Sequence, residues 1–227
     1  MNVIFGVFLA LGIIGLILVY YFEVKDFNRT GANKFKIYTY IPFEVNRFKR
    51  DRKDTYAYPI LHVLSTIMLV IPILMFAIDV QNKAGNITVP YTLFTIMTLA
   101  YLTYNILTFI KLSNYKLHMI FTTIFVALTL LLEILYIFFF STDRFMYGSG
   151  ILSKEVQIST FVVSIILLIF EFILMLNPKY KNWFKMVKVD AETYNRPKFC
   201  YLAILEWGTL LNLILSYIPI IVVMFIR

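Results

Sequence analysis

Three glutamates, Glu133, Glu171 and Glu206, fall inside stretches of the chain that are otherwise strongly apolar, and no Lys or Arg lies deep in any of those stretches. An ionised carboxylate taken out of water without a partner is costly and tends to take up a proton. Each of the three must therefore be protonated and hydrogen-bonded, paired with His62, open to an aqueous cavity or holding a bound cation. Ionisable groups at membrane depth mark ion, proton or substrate pathways. The plainer reading is that a protonated Glu bonded to Thr, Tyr or Asn across helices is ordinary interhelical glue.

The glutamates have polar company at helical spacing. Thr95, Thr98, Tyr101, Asn105 and Thr108 recur at intervals of three and four, as do Thr122, Thr129, Glu133 and Tyr136. Thr160, Ser164 and Glu171 form a third series, and Glu206, Thr209, Asn212 and Ser216 a fourth. Such spacing collects side chains on one helical face. A polar stripe gains nothing from lipid, so these seams are expected to face the interior of a helix bundle. Counting inward at about 1.5 Å per residue puts Glu171 and Glu206 roughly 10 Å from the boundary on the basic side. His62 and Asn105 fall at similar or shallower depth. The expected ion or solute site is thus an inner-half cluster of His62, Asn105, Glu171, Glu206 and Asn212. Glu133 and Asp79 form a separate candidate in the outer half.

Other chemistry is sparsely represented. The chain has no H-E-x-x-H, G-x-S-x-G, P-loop or zinc-cluster pattern. An enzyme built from residues far apart in sequence remains possible in principle, but no catalytic residue is nominated. His62 and His118 could in principle hold a haem from two helices. His118, however, opens its stretch beside Lys116 and Leu117, and an interfacial His118 with a hydrogen-bonded His62 is the preferred reading. The single cysteine, Cys200, has no partner for a disulfide and no metal-ligand companions. No cofactor and no metal are expected.

The elements that must position these groups follow from composition. The chain of 227 residues is 60% apolar and 18% aromatic, with a mean hydropathy of +0.79, whereas a soluble domain is about half apolar. The excess falls in six blocks, about 2–22, 58–80, 91–111, 118–140, 157–176 and 200–226, each long enough to cross a bilayer as a helix. The fold class expected is all-α: a polytopic six-transmembrane-helix bundle forming a single domain over 1–227. The first block has no basic leader and no cleavage pattern, which predicts a retained span. Its Gly6, Ala10, Gly12 and Gly15 suit close helix packing, with Gly6 and Ala10 a small-xxx-small pair.

The net charge of +8 is distributed as a topology signal. Alternating loops place 17 of the 21 basic residues on one side of the six blocks. The positive-inside rule makes that side cytoplasmic and puts both termini outside. A basic face beside a membrane meets anionic headgroups, so the bilayer is the expected partner and nucleic acid is not. The plasma membrane is the expected location.

Two cytoplasmic segments, 23–57 and 177–199, interleave aromatic with basic residues. Lys34, Phe35, Lys36, Arg47, Lys49 and Arg50 in the first, and Trp183, Phe184 and Lys185 in the second, suit the headgroup layer or a docked protein. A faint repeat joins them: Asn33-Lys34-Phe35-Lys36 with Asn46-Arg47 matches Asn182-Trp183-Phe184-Lys185 with Asn195-Arg196 at one offset. Two functions remain in view. One is a small transporter or channel, or the membrane component of one, handling a cation, proton or small solute. The other is a non-catalytic subunit or assembly factor of a larger membrane complex, with a membrane-protein partner or a second copy of the chain.

Overall fold

A computed structural model describes residues 2–30, 34–45, 57–84, 88–110, 114–141, 152–176, 187–188, 194–195 and 199–226. Among them run α1 (Asn2–Thr30), a one-turn α2 (Pro42–Val45), α3 (Ala57–Ala84), α4 (Thr88–Phe109), α5 (Tyr115–Ser141), α6 (Lys154–Met175), α7 (Tyr201–Leu215) and α8 (Tyr217–Ile226). Two residues each of β1 (Val187–Lys188) and β2 (Tyr194–Asn195) pair antiparallel, Val187 opposite Asn195. With α7 and α8 taken as one interrupted helix, six helices are long and apolar enough to cross a membrane. Their outer faces carry Val3, Val7, Leu11, Ile14, Ile166, Ile169 and Ile173, all exposed. An apolar exterior of that extent belongs in lipid rather than water.

The helices pack in chain order, each against the next, with α5 also meeting α7. The sixth span closes the bundle. Tyr217 in α8 donates to the Leu69 carbonyl of α3 at 2.5 Å, Asn2 donates to the Met224 carbonyl at 2.9 Å, and Phe5 meets Phe225 edge to face. More than half of the sixth span's most apolar window is buried, 56% against 28% for the first span and 22% for the fifth. It is the most buried span, ahead of the second at 50%, and it contributes Leu213 and Tyr217 to a core that also holds Leu69, Phe76, Met97, Tyr101, Leu132 and Tyr136.

Close approach is set by glycine where no Cβ fits. A Cβ on Gly12 would lie 2.6 Å from Leu69, and one on Gly15 2.5 Å from Ser65 Oγ, so α1 and α3 touch at these two positions. Gly6 has room for a methyl, its nearest neighbour being Phe225 at 3.8 Å, and Ala10 faces outward. Gly12 and Gly15, rather than the Gly6–Ala10 pair, therefore carry the contact. Gly208 does the same for α7 against Leu174 of α6, at 2.5 Å.

The first helix runs past residue 22, where the apolar block ends, to Thr30. No Gly or Pro interrupts it before Gly31, and Tyr20, Glu23 and Phe27 continue one inward face. Its 29 residues span roughly 43 Å at about 1.5 Å each, more than the roughly 30 Å hydrocarbon layer. The last two turns are long enough to emerge from that layer. There Asp26 accepts a hydrogen bond from Tyr58.

Residues 34–45 fold back beneath this end. Ile41 and Val45 are buried, the Cys200 N–H donates to the Tyr38 carbonyl at 2.7 Å, and Trp207 Nε1 donates to the Tyr40 carbonyl at 2.9 Å.

The sixth span breaks at Ser216. Pro219 explains the break: it has no N–H to give the Leu215 carbonyl, while its fixed φ suits the first turn of a new helix.

Candidate functional site

The polar residues of the interior gather in three assemblies, each spanning at least two helices. In the first, His62 Nε2 lies 3.0 Å from Glu23 Oε1 and His62 Nδ1 lies 2.7 Å from the Tyr104 hydroxyl. Tyr104 in turn lies 2.8 Å from the Tyr20 hydroxyl. Glu23, His62 and Tyr104 are buried, while Tyr20 is partly so. Its ring meets His62 edge-on and leans on Trp207 at 4.7 Å. One residue on, Asn105 Nδ2 donates to Thr66 Oγ1 at 2.8 Å. So α4 meets α3 twice, a turn apart on α3, through Tyr104 and Asn105.

This first chain can carry a proton. In one arrangement Tyr20 donates to Tyr104, Tyr104 to His62 Nδ1, and His62 Nε2–H to an ionised Glu23. In the other every donor and acceptor is reversed, with the Glu23 carboxyl donating to Nε2. Both fit the same heavy-atom positions, because imidazole and phenol each donate and accept. Passing from the first to the second accepts one proton at the Tyr20 end and delivers one to Glu23. An imidazole is the side chain best matched to such a shuttle.

The second assembly joins α5 to α7. His118 Nε2 lies 2.9 Å from Glu206 Oε1, which also accepts from Thr122 at 2.8 Å. All three are buried. Tyr20 is within electrostatic reach of Glu206.

The third joins α6 to α7. Glu171 Oε1 accepts from Thr209 at 2.7 Å, and its Oε2 accepts from Asn212 Nδ2 at 3.0 Å. Asn212 also donates to the Leu167 carbonyl at 3.3 Å. Glu133 in α5 is near enough for its charge and that of Glu171 to interact. Glu133 is fully buried, and neither of its carboxyl oxygens has a hydrogen-bond partner among the described residues.

The residues nominated for the intramembrane sites are buried, Asn105 only partly, but they do not form one cluster. His62 and Asn105 belong to the first assembly, Glu206 to the second, and Glu171 with Asn212 to the third. Glu206 takes His118 rather than His62. Asp79, in the last turns of α3, pairs with Lys83 of its own helix at 2.7 Å, whereas Glu133 looks toward Glu171. Glu23 is the residue that apolar-block reading leaves out, because it follows the end of the block. The three-residue step from Tyr20 to Glu23, on a helix with nothing to stop it before Gly31, is the signal that finds it.

At the basic side, Lys34 and Lys36 are exposed, with Lys36 Nζ 5.9 Å from the Tyr38 ring centre. Phe35 turns in, meeting Phe27, Tyr40 and Trp207. Arg47, Lys49, Arg50, Trp183, Phe184 and Lys185 lie outside the described residues, as does most of the repeat. Among the described residues no group of three or more His, Cys, Asp or Glu is arranged to hold a metal ion.

No family model, characterised protein or solved structure matches the chain.

Proposed function

We propose that the chain is a small membrane transporter or channel, or the membrane component of one, that moves protons or a cation through its polar interior. The observation that carries this reading is the hydrogen-bonded series Glu23–His62–Tyr104–Tyr20, drawn from three helices and unbroken at 3.0, 2.7 and 2.8 Å. A buried carboxylate–imidazole pair is an expensive way to join helices, and the two phenols extend it into a proton-exchanging series that returns to α1 one turn from Glu23. In this reading the basic loops face the cytoplasm and anionic headgroups, both termini face outside, and the membrane is the plasma membrane.

The test is proton flux into liposomes containing the purified protein, followed by a pH-sensitive dye under an imposed potential. The wild type is expected to acidify the lumen faster than empty vesicles. Glu23→Gln, which keeps the shape but cannot take up the relayed proton, is expected to return the rate to that of empty vesicles. Equal rates for wild type and Glu23→Gln would sink the proposal.

The alternative, a non-catalytic subunit or assembly factor, has its own support. Much of the hydroxyl content of the seams is spent inside single helices: Thr95, Thr129, Thr160 and Ser164 each donate to the carbonyl four residues back. Those seams line no path and serve local packing. A stoichiometric partner retained through mild extraction would favour this reading.

A further inference from the structure

The relay does not use Glu133, and nothing in helix packing accounts for it. A buried polar atom without a partner calls for a specific explanation, an unseen ion among them. Both carboxyl oxygens of Glu133 are such atoms, and so is Oδ1 of Asn212, whose Nδ2 is committed to Glu171. Glu133 and Asn212 have no exposed surface. They belong to adjacent helices, α5 and α7, and both address Glu171, one by charge and the other by a hydrogen bond.

The surroundings are arranged for positive charge. One turn beyond Glu133, Tyr136 stands 3.8 Å from Met97 Sδ and within interaction range of Ser216. Ser216 is the break between α7 and α8. Pro219 leaves the Leu215 carbonyl without its helical donor. A carbonyl freed at a helix interruption is a ligand that membrane proteins use for cations. No Lys or Arg lies within the apolar stretches that carry the two glutamates. The available donors are all oxygen, which suits a hard cation. Thr209 and Asn212 occupy both oxygens of Glu171, so the carboxyl left without a partner is that of Glu133.

We infer that Glu133, Asn212 Oδ1 and the backbone break at Ser216 form a binding site for one dehydrated monovalent cation, with sodium its natural probe. This assignment deepens the transport reading and rests on it for a purpose, but binding is measurable where no transport occurs. Protons compete for the same carboxylate, so occupancy falls as pH falls.

The experiment is equilibrium binding of radioactive sodium to the purified full chain in detergent, at constant ionic strength made up with choline chloride. Wild type is expected to bind saturably, near one ion per chain, and less tightly at acid pH. Glu133→Gln, checked for a monodisperse folded state, is expected to lose that binding, and Glu23→Gln to keep it. Absence of saturable binding by the wild type at neutral and alkaline pH overturns the site, whatever the variants do. So does undiminished binding by Glu133→Gln. If Glu133→Gln does not fold, Asn212→Ala takes its place, with the same loss expected and unchanged binding again overturning the site. Failure here with a Glu23-dependent proton flux intact removes the cation site and leaves the relay standing.

Discussion

His118 Nε2 and Glu206 Oε1 lie 2.9 Å apart, joining residues 88 positions distant in sequence through the interior of the bundle. The pair ties the start of α5 to the first turns of α7. Thr122 shares the same carboxyl oxygen, so the contact is a three-group lock rather than a single bond.

Breaking that lock should be felt as stability. Glu206→Leu and His118→Leu are each expected to destabilise the fold by about 1–2 kcal/mol, the range for interhelical hydrogen bonds in membrane proteins. The double variant should fall short of additivity by about 1 kcal/mol, since the second change removes a group already orphaned. Equilibrium unfolding in mixed micelles measures both, and full additivity would show that the pair does not couple.

Tyr104 and Asn105 are neighbours with different assignments. Tyr104→Phe removes the hydroxyl between His62 and Tyr20 and should cut proton flux about a hundredfold, the scale of a lost proton-transfer group. Asn105→Leu, which disturbs only the bond to Thr66, should leave flux within about a factor of three of wild type while costing about 1 kcal/mol of stability. Flux assays on the pair in liposomes test this; equal effects would argue against a path through Tyr104.

The glycines of α1 should sort by the space each one has. Gly12→Val and Gly15→Val are expected to destabilise by about 1–3 kcal/mol through overpacking against Leu69 and Ser65. Gly6→Ala, which meets Phe225 only at ordinary contact distance, should be neutral or slightly stabilising. Thermal midpoints of the three variants in one detergent give the ranking, and a Gly6→Ala as damaging as Gly12→Val would refute the packing described.

Orientation is open to labelling. In a Cys200→Ala background, Lys36→Cys should react with an impermeant thiol reagent only from the cytoplasmic face, and Lys154→Cys only from outside. Both parent side chains are exposed, so access is decided by the membrane alone. The reverse pattern would overturn the inferred topology.

The number and approximate position of the long helices were legible because apolar runs of that length admit no other structure in lipid. Helical spacing was legible too: His62, Glu171 and Glu206 are buried within the bundle and Asn105 is partly so. Depth does not give neighbours. Whether Glu206 meets His62 or His118 depends on which helices touch and how each is rotated, and residues at one level on six helices permit many pairings. Glu23 was lost for a different reason: a hydropathy block ends at the first charges, whereas a helix ends only where its backbone or packing stops it. Lys25, Asp26 and Arg29 close the apolar block but do not unwind α1.

The sixth span is the most buried of the six yet follows the other five in the chain. Ribosomal synthesis delivers helices in order, so the first five spans (α1 and α3 through α6) enter the bilayer before the helix that closes the bundle has been made. Until α7 arrives, His118 waits without Glu206, and Glu171 without Thr209 and Asn212. The nascent intermediate therefore exposes its most polar side chains to lipid at the moment it is least able to cover them. Biogenesis of this chain should depend on the insertion machinery to shelter α5 and α6, and a stop after α6 should yield a product marked for degradation rather than a smaller bundle.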